Sequence, residues 1–464
     1  MRALACVVLA AGEGTRMKSD RPKPLHEVCG RPMIDHVLRT LEDLTPERTA
    51  VVVGVGADEV CAVAGDRAAA CEQAEQLGTG HATQCALPEL EGFEGDVLIT
   101  YADIPLVTAE TLQGLIDHHR SEEAAATVLT TEVEDPAGYG RIVRDSMGAV
   151  SAIVEHRDAS PEQRGIREIN TGIYVFEAEA LRGALQQITP DNDQGELYLT
   201  DAIEILVAYG RPVSAMATPE AAEVMGINNR VQLATAERIA RDRIREEIML
   251  AGVTLIDPPS TFIDAGVTIG RDTVIGPGCH LQGETSVGSG CELRGQVTLR
   301  SATVGDDVLL RHNTVIEDSA VGDGAQLGPF SLVRGNSEVG RGCKVGSSAE
   351  MNRSRLGDGS KMQHFSYIGD TTVGEGVNIG AGAITCNYDG VDKHPTEIED
   401  GSFVGSDVIL IAPITIGRGA YTAAGSVLTK DVPPGSLAIE RGDQRTIENW
   451  AERMEKRRQE KKEG

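Results

Sequence analysis

The stretch VTIGRDTVIGPGCHL, residues 267–281, puts an aliphatic side chain at every sixth position: Ile269, Ile275 and Leu281. The series begins at Ile263 and continues through Val287, Leu293, Leu299, Val304, Leu310, Ile316, Val321, Leu327, Val333, Val339, Val345, Met351, Leu356, Met362, Ile368 and Val373 to Ile379. Glycine often follows directly, as at Gly270, Gly276, Gly340, Gly346 and Gly380. A period of six is neither the two of a strand nor the 3.6 of a helix. It is the period of a parallel β-helix, where each hexad lays one short strand and turns one corner, and three hexads close a coil. Steps of five at 299–304, 316–321, 351–356 and 368–373 all fall at the same corner. The repeat breaks once, at CNYDGVDKHPTE (386–397), and resumes through Val404, Leu410, Ile416, Thr422 and Leu428. An insertion that leaves the register intact is expected to be an exposed loop, where function often sits.

That register predicts chemistry. Equivalent residues of successive coils stack about 4.8 Å apart. Two positions past one aliphatic of each coil stand Ser347, His364, Ala381, Ser406 and Ala424, a column with a histidine beside a groove of small residues. Glu350 and Tyr367 stack one position before another aliphatic. A carboxylate near a histidine raises its basicity and fixes its tautomer, so Glu350 is expected to prepare His364 as a general base.

Upstream, residues 1–228 alternate apolar runs (ALACVVLAA, TAVVVGV, DVLITYAD, AATVLTTEV) with helical segments such as MIDHVLRTLEDL. This predicts an α/β domain with a mainly parallel sheet and its ligand at the carboxyl ends of the strands. LAAGEGTRM (9–17) follows the first strand, with glycines that let backbone amides approach a phosphate. It lacks the G-K-[ST] of a P-loop and the third glycine of a dinucleotide fingerprint. Arg16 and Lys23 add two cations suited to a polyphosphate. Asp103 falls at another strand end. Residues 229–250 read as a connecting helix, with Leu233, Ala236, Ala240, Ile244 and Ile248 on one stripe. The β-helix is expected over 251–437 and a solvated tail over 438–464.

A formal net charge of −28 excludes a general nucleic-acid or anionic-membrane surface, so any anionic ligand depends on local basic groups. Nine cysteines without a C-x-x-C pair fit a reducing cytosol. The opening ALAC has no apolar segment before Cys6, and no run of 18 apolar residues occurs. A soluble, cytoplasmic protein is expected.

LAAGEGTRM with Lys23, QAEQLGTGHA, YADIPL, GYGRI, IVEHRDA, EINTGIY and GINNR, followed by GSKMQHFSYIGD, VNIGAGAITCNYDG, SFVGSD and AAGSV, run nearly the length of the chain. With them the sequence resembles the bacterial bifunctional N-acetylglucosamine-1-phosphate uridyltransferase and glucosamine-1-phosphate acetyltransferase family. The resemblance implies a Rossmann-like nucleotidyltransferase domain joined to a left-handed β-helix, a homotrimer with acetyl-transfer sites between subunits, and Mg²⁺. UTP and acetyl-CoA are the implied co-substrates, and the product feeds cell-wall and lipopolysaccharide synthesis. By the same resemblance Leu9, Ala10, Ala11, Gly12, Gln73, Gly78, Thr79 and Tyr101 hold the nucleotide. Arg16 and Lys23 neutralise phosphates, Asp103 and Asn228 bind Mg²⁺, and Gly140, Glu155 and Asn170 recognise the N-acetylated sugar. In the β-helix His364 is the implied base, with Arg334, Tyr367, Asn378 and Lys393 on the sugar phosphate. Ala381, Asn387, Tyr388, Ser406, Ala424 and Arg441 line the acetyl-CoA groove.

Two positions depart from the family pattern. Ala102 replaces the glycine common before the metal aspartate. Asn352 stands where a lysine usually meets the sugar phosphate, with Arg353 the expected substitute. Two other readings are open: a single-function sugar-phosphate nucleotidyltransferase with a regulatory β-helix, and a non-enzymatic scaffold. The histidine column speaks against the first, and the retained phosphate and metal residues speak against the second.

Overall fold

The computed structural model describes residues 2–463. Chain contacts divide it into two compact units, Met1–Glu246 and Glu247–Gly464. The boundary therefore falls near the end of the helix Arg230–Leu250 rather than before it. The physical reason is anchoring: Glu237 accepts a hydrogen bond from the Cys29 amide (2.6 Å), and Arg243 donates to the Leu106 carbonyl (2.7 Å). The expected apolar stripe is only partly realised. Ala236 and Ala240 are buried, whereas Leu233, Ile244 and Ile248 are half-buried.

The first unit is built on nine strands: β1 (Leu4–Leu9), β2 (Arg48–Val53), β3 (Ala69–Glu72), β4 (Asp96–Tyr101), β5 (Ala126–Glu132), β6 (Arg141–Arg144), β7 (Val150–Val154), β8 (Glu168–Glu177) and β9 (Val213–Ala217). The sheet runs β9-β5-β8-β4-β1-β2-β3, with the β6–β7 hairpin attached to β8. β1 pairs in parallel with both β2 and β4, while β8 runs antiparallel between β4 and β5. The central strand explains its own composition. Ala5, Val7 and Leu9 enter one core and Leu4, Cys6 and Val8 the other, so LACVVL is buried on both faces and does not alternate with polar residues. The hairpin and β8 were not anticipated from sequence, since β6 and β7 are short and carry charged or small polar residues.

The second unit is a left-handed parallel β-helix whose strands stack as three sheets of eleven, ten and nine. We call them the first, second and third faces. The hexad aliphatics point inward: Ile275, Leu281, Leu310, Leu327, Val333 and Val345 are wholly buried. Ile269, in the opening coil, is only half-buried. Residues in the left-handed backbone region turn the corners, as at Asp307 (φ 56°), Asn313 (φ 59°) and Asp370 (φ 48°), and Asn and Asp tolerate that region best after glycine. The interruption keeps the bounds read for it, 386–397, and the inward slots on either side of it are two that the aliphatic series did not include. Thr385 already fills an inward slot beside Leu410, and Ile398 fills the next, beside Val373 and Ile416. The insertion leaves at the corner between the second and third faces, the same corner that the five-residue steps shorten elsewhere. Beyond the last strand, Leu437–Ala438, the expected tail contains a helix, Trp450–Glu463, exposed along nearly all its length.

Candidate active sites

A cleft of about 560 Å³ opens at the carboxyl ends of β1, β3 and β4. Leu9, Ala10, Ala11, Gly12, Lys23, Gln73, Gly78, Thr79, Tyr101, Asp103 and Asn228 all line it, so eleven residues named from sequence share one cavity. Gly14 shows why the loop needs glycine there. Its φ is +65°, and a β-carbon would lie 2.6 Å from Lys23 Cβ. Buried Gln73 donates to the Gly78 carbonyl (3.1 Å), which sets the turn into the helix Thr79–Cys85. The cleft also takes residues the reading missed, among them Glu13 and Glu196. Glu196 belongs to a segment that docks onto residues 77–80 by backbone bonds, Gly80 to Leu197 (2.7 Å) and Leu197 to Leu77 (2.8 Å). No local motif marks that docking.

Lys23 Nζ donates to Asp103 Oδ2 and to Asn228 Oδ1 (2.8 Å), and Arg16 Nη2 donates to the same Asn228 oxygen (2.9 Å). Two oxygens from segments more than a hundred residues apart thus converge on one cationic centre. An all-oxygen pair of this kind suits a hard divalent ion, so Asp103 and Asn228 fit the expected metal. Gly140, Glu155 and Asn170 do not line this cleft but do gather together. A β-carbon on Gly140 would lie 3.4 Å from both Asn170 Cβ and Glu155 Oε1. Burial pushes the Glu155 carboxyl up from its ordinary value, and its field helps push up the Tyr101 phenol, whose main cause is again burial. Asn170 donates to the buried Tyr174 hydroxyl (2.7 Å).

On the β-helix the histidine column is real. Ser347 pairs with His364, and the pairs Met362–Ile379, Ile379–Val404 and Val404–Thr422 carry the register on to Ala381, Ser406 and Ala424. His364 is exposed at the corner that opens the second face. Asn378 lies on the first face in register with Lys361. Glu350 stacks on Tyr367, as expected.

Two expectations need correction. Glu350 is not the partner of His364: its Oε1 accepts from Arg334 Nε (3.1 Å) and Nη2 (2.7 Å), because Arg334 is its neighbour one coil back on the same face. Arg353 does reach back to Asn352 Oδ1 (3.1 Å), but its guanidinium forks onto Asp370 at 2.6 and 2.9 Å, the nearest anion one coil on. Asn352 itself is buried. Arg441 stands in exposed irregular chain after the last strand, outside the column. The loop carrying Asn387, Tyr388 and Lys393 leaves from the opposite corner of the second face from His364. A single chain thus sets the histidine and the loop a face's width apart.

Comparison with known proteins gives matches to both units. The MobA-like NTP transferase domain matches residues 6–194, the bacterial transferase hexapeptide (six repeats) residues 266–301, and the hexapeptide repeat of succinyl-transferase residues 395–430. Among full-length relatives, the bifunctional protein GlmU of Geobacillus sp. (strain WCH70) is 48% identical over 448 residues, 97% of each chain. That of Streptomyces avermitilis is 49% identical over 458 residues, 98% of this chain and 95% of the relative. That of Pelotomaculum thermopropionicum is 50% identical over 448 residues, 97% of this chain and 98% of the relative.

Proposed function

The chain belongs to the family of bifunctional GlmU proteins, and from that premise we propose the following reading of its two sites. The enzyme acetylates glucosamine 1-phosphate with acetyl-CoA, then transfers UMP from UTP to N-acetylglucosamine 1-phosphate and releases pyrophosphate. The observation that carries the second reaction is the convergence of Lys23, Arg16, Asp103 and Asn228 at the strand ends. There a phosphate oxygen of the sugar attacks the α-phosphorus as its bond to the β-phosphate breaks. Arg16 and Lys23 meet the charge that builds on the transferred group. Leu9 to Gly12, Gln73, Gly78 and Thr79 seat the nucleotide, and Gly140, Glu155 and Asn170 the sugar. Asp103 and Asn228 hold Mg²⁺, which when bound supplies positive charge at the phosphates.

In the β-helix the amine of glucosamine 1-phosphate attacks the thioester carbonyl. The C–N bond forms as the C–S bond breaks; His364 takes the amine proton and returns it to the departing CoA thiolate, which leaves as the free thiol. Arg334, Tyr367, Asn378 and Lys393 hold the sugar phosphate; Ala381, Asn387, Tyr388, Ser406, Ala424 and Arg441 flank acetyl-CoA. The separation of His364 from the loop across one face favours a homotrimer in which one copy's histidine corner meets another's loop. Within the described residues no helix is long and apolar enough to cross a membrane, and the enzyme works in the cytoplasm on small molecules.

The deciding experiment supplies glucosamine 1-phosphate, acetyl-CoA, UTP and Mg²⁺ together. UDP-N-acetylglucosamine, free CoA and pyrophosphate are expected in equal amounts. Uridylyl transfer to added N-acetylglucosamine 1-phosphate, with no acetylation of glucosamine 1-phosphate, would favour the single-function reading.

A further inference from the structure

The insertion at 386–397 closes on itself at its tip. Asp389 Oδ2 accepts from His394 Nε2 (2.8 Å), its Oδ1 accepts from the Val391 and Asp392 amides (both 2.8 Å), and Tyr388 bridges Lys393. What holds this closed tip to the coil is a different set of groups. The side chain of Asn387, at the loop's start, donates to Asp370 Oδ2, and the Thr396 amide at its end donates to the Asp370 carbonyl (3.1 Å). From the coil below, Arg353 grips both oxygens of the same carboxylate and touches Asn352 Oδ1. Arg353, then Asn387, holds the Asp370 carboxyl below its ordinary range, so it remains an anion through the working pH range.

Gly369 ties a second side chain to this point. Its backbone is not in the left-handed region, so conformation alone does not demand glycine. Space does: a β-carbon would run into the Tyr367 hydroxyl and lie 2.8 Å from Asn387 Nδ2. The phenol therefore lies folded over Gly369 against the base of the loop, spanning the second face from the histidine corner.

We propose that Asp370 is a positioning residue for acetyl transfer: braced by Arg353, it fixes through Asn387 the loop bearing Tyr388 and Lys393, while Gly369 leaves room for Tyr367. This rests on reading that face as the acetyltransferase site. It assigns Arg353 to the loop instead of to the sugar phosphate, and it gives Asp370 and Gly369 a role that acts through Asn387 and Tyr367.

The test separates the brace from the activity. In full-length protein, trypsin cleavage after Lys393 and amide exchange over 387–395 are measured for wild type, Asp370→Ala, Arg353→Ala and Arg353→Lys, with Tm as the folding control. Cleavage is expected to speed up at least about tenfold in both alanine variants and to return towards wild type in Arg353→Lys, since a charge-assisted bond is partly restored. The KM for glucosamine 1-phosphate should rise about 10- to 100-fold alongside, with uridylyl transfer unchanged. Gly369→Ala should raise that KM while Tm stays near wild type. Loop cleavage and exchange equal to wild type in both alanine variants would overturn the brace. Wild-type protein with no acetyl transfer, but with a loop that loosens in the variants, would instead overturn the acetyltransferase reading.

Discussion

The Lys23 ammonium lies against the Asp103 carboxylate and the Asn228 amide oxygen, the two groups that fit a metal ion. A cation already satisfies these oxygens, so an incoming divalent ion competes with Lys23 and frees it to turn towards phosphate. Lys23→Ala should therefore bind Mn²⁺ at least as tightly as wild type while losing uridylyl transfer by about 10²-fold or more. Titration calorimetry with Mn²⁺ and a pyrophosphate-release assay decide it. Weaker Mn²⁺ binding in the variant would show that Lys23 supports the metal site.

Asp103→Ala removes the carboxylate and should abolish Mg²⁺-dependent uridylyl transfer. Acetyl transfer should continue, and continue in EDTA, because the β-helix residues assigned to it include no metal ligand. Loss of both activities in the variant would contradict the assignment.

The helix Arg230–Leu250 decides where the chain can be cut. Arg230 donates to the Met17 carbonyl (3.3 Å) and reaches His26 (3.2 Å), beside the loop that carries Lys23, and Glu237 and Arg243 anchor the following turns. A fragment ending at residue 250 should keep full uridylyl transfer. One ending at 228 loses these four bonds and should melt roughly 8–16 °C lower, at about one kcal/mol per lost bond. Equal melting of the two fragments would remove the helix from the stability of the first unit.

His364→Ala should lower acetyl transfer by about 10²–10⁴-fold, the usual share of a general base, and leave uridylyl transfer within a few-fold. A thiol-release assay with acetyl-CoA measures the first and pyrophosphate release the second. Acetylation near the wild-type rate would put the proton elsewhere.

His119 gives a pH signature. It is wholly buried, its imidazole shares a hydrogen bond with the Thr127 hydroxyl (2.9 Å), and its other ring nitrogen lies 3.7 Å from the equally buried Asp96. Burial outweighs the Asp96 attraction and pushes the imidazole down to about 4. Between pH 6.5 and about 4 the unfolded chain therefore binds a proton that the fold refuses, and stability falls as pH falls through that window. In His119→Asn the loss of unfolding free energy between pH 7 and pH 4.5 should be smaller by up to about 3 kcal/mol. Parallel denaturation curves at the two pH values would show no such linkage.

The six-residue period determined the β-helix on its own, because an inward slot accepts only an aliphatic or small side chain and every coil must supply three. It likewise determined the column through His364, since stacked coils translate sequence spacing directly into neighbours. The strand-end position of the phosphate loop followed from the alternation of apolar runs with helices. Partner choice among charged groups was decided only by the folded chain. Whether Glu350 meets His364 or Arg334, and whether Arg353 faces a phosphate or Asp370, depends on which opposite charge stands one coil away and on the direction a left-handed corner gives a side chain. Glu196 enters the first cleft by docking of a distant loop, and helix Arg230–Leu250 joins the first unit through three long-range anchors. Periodicity is a local property that a sequence displays; pairing between segments far apart in the chain exists only once the tertiary structure brings them within hydrogen-bond reach.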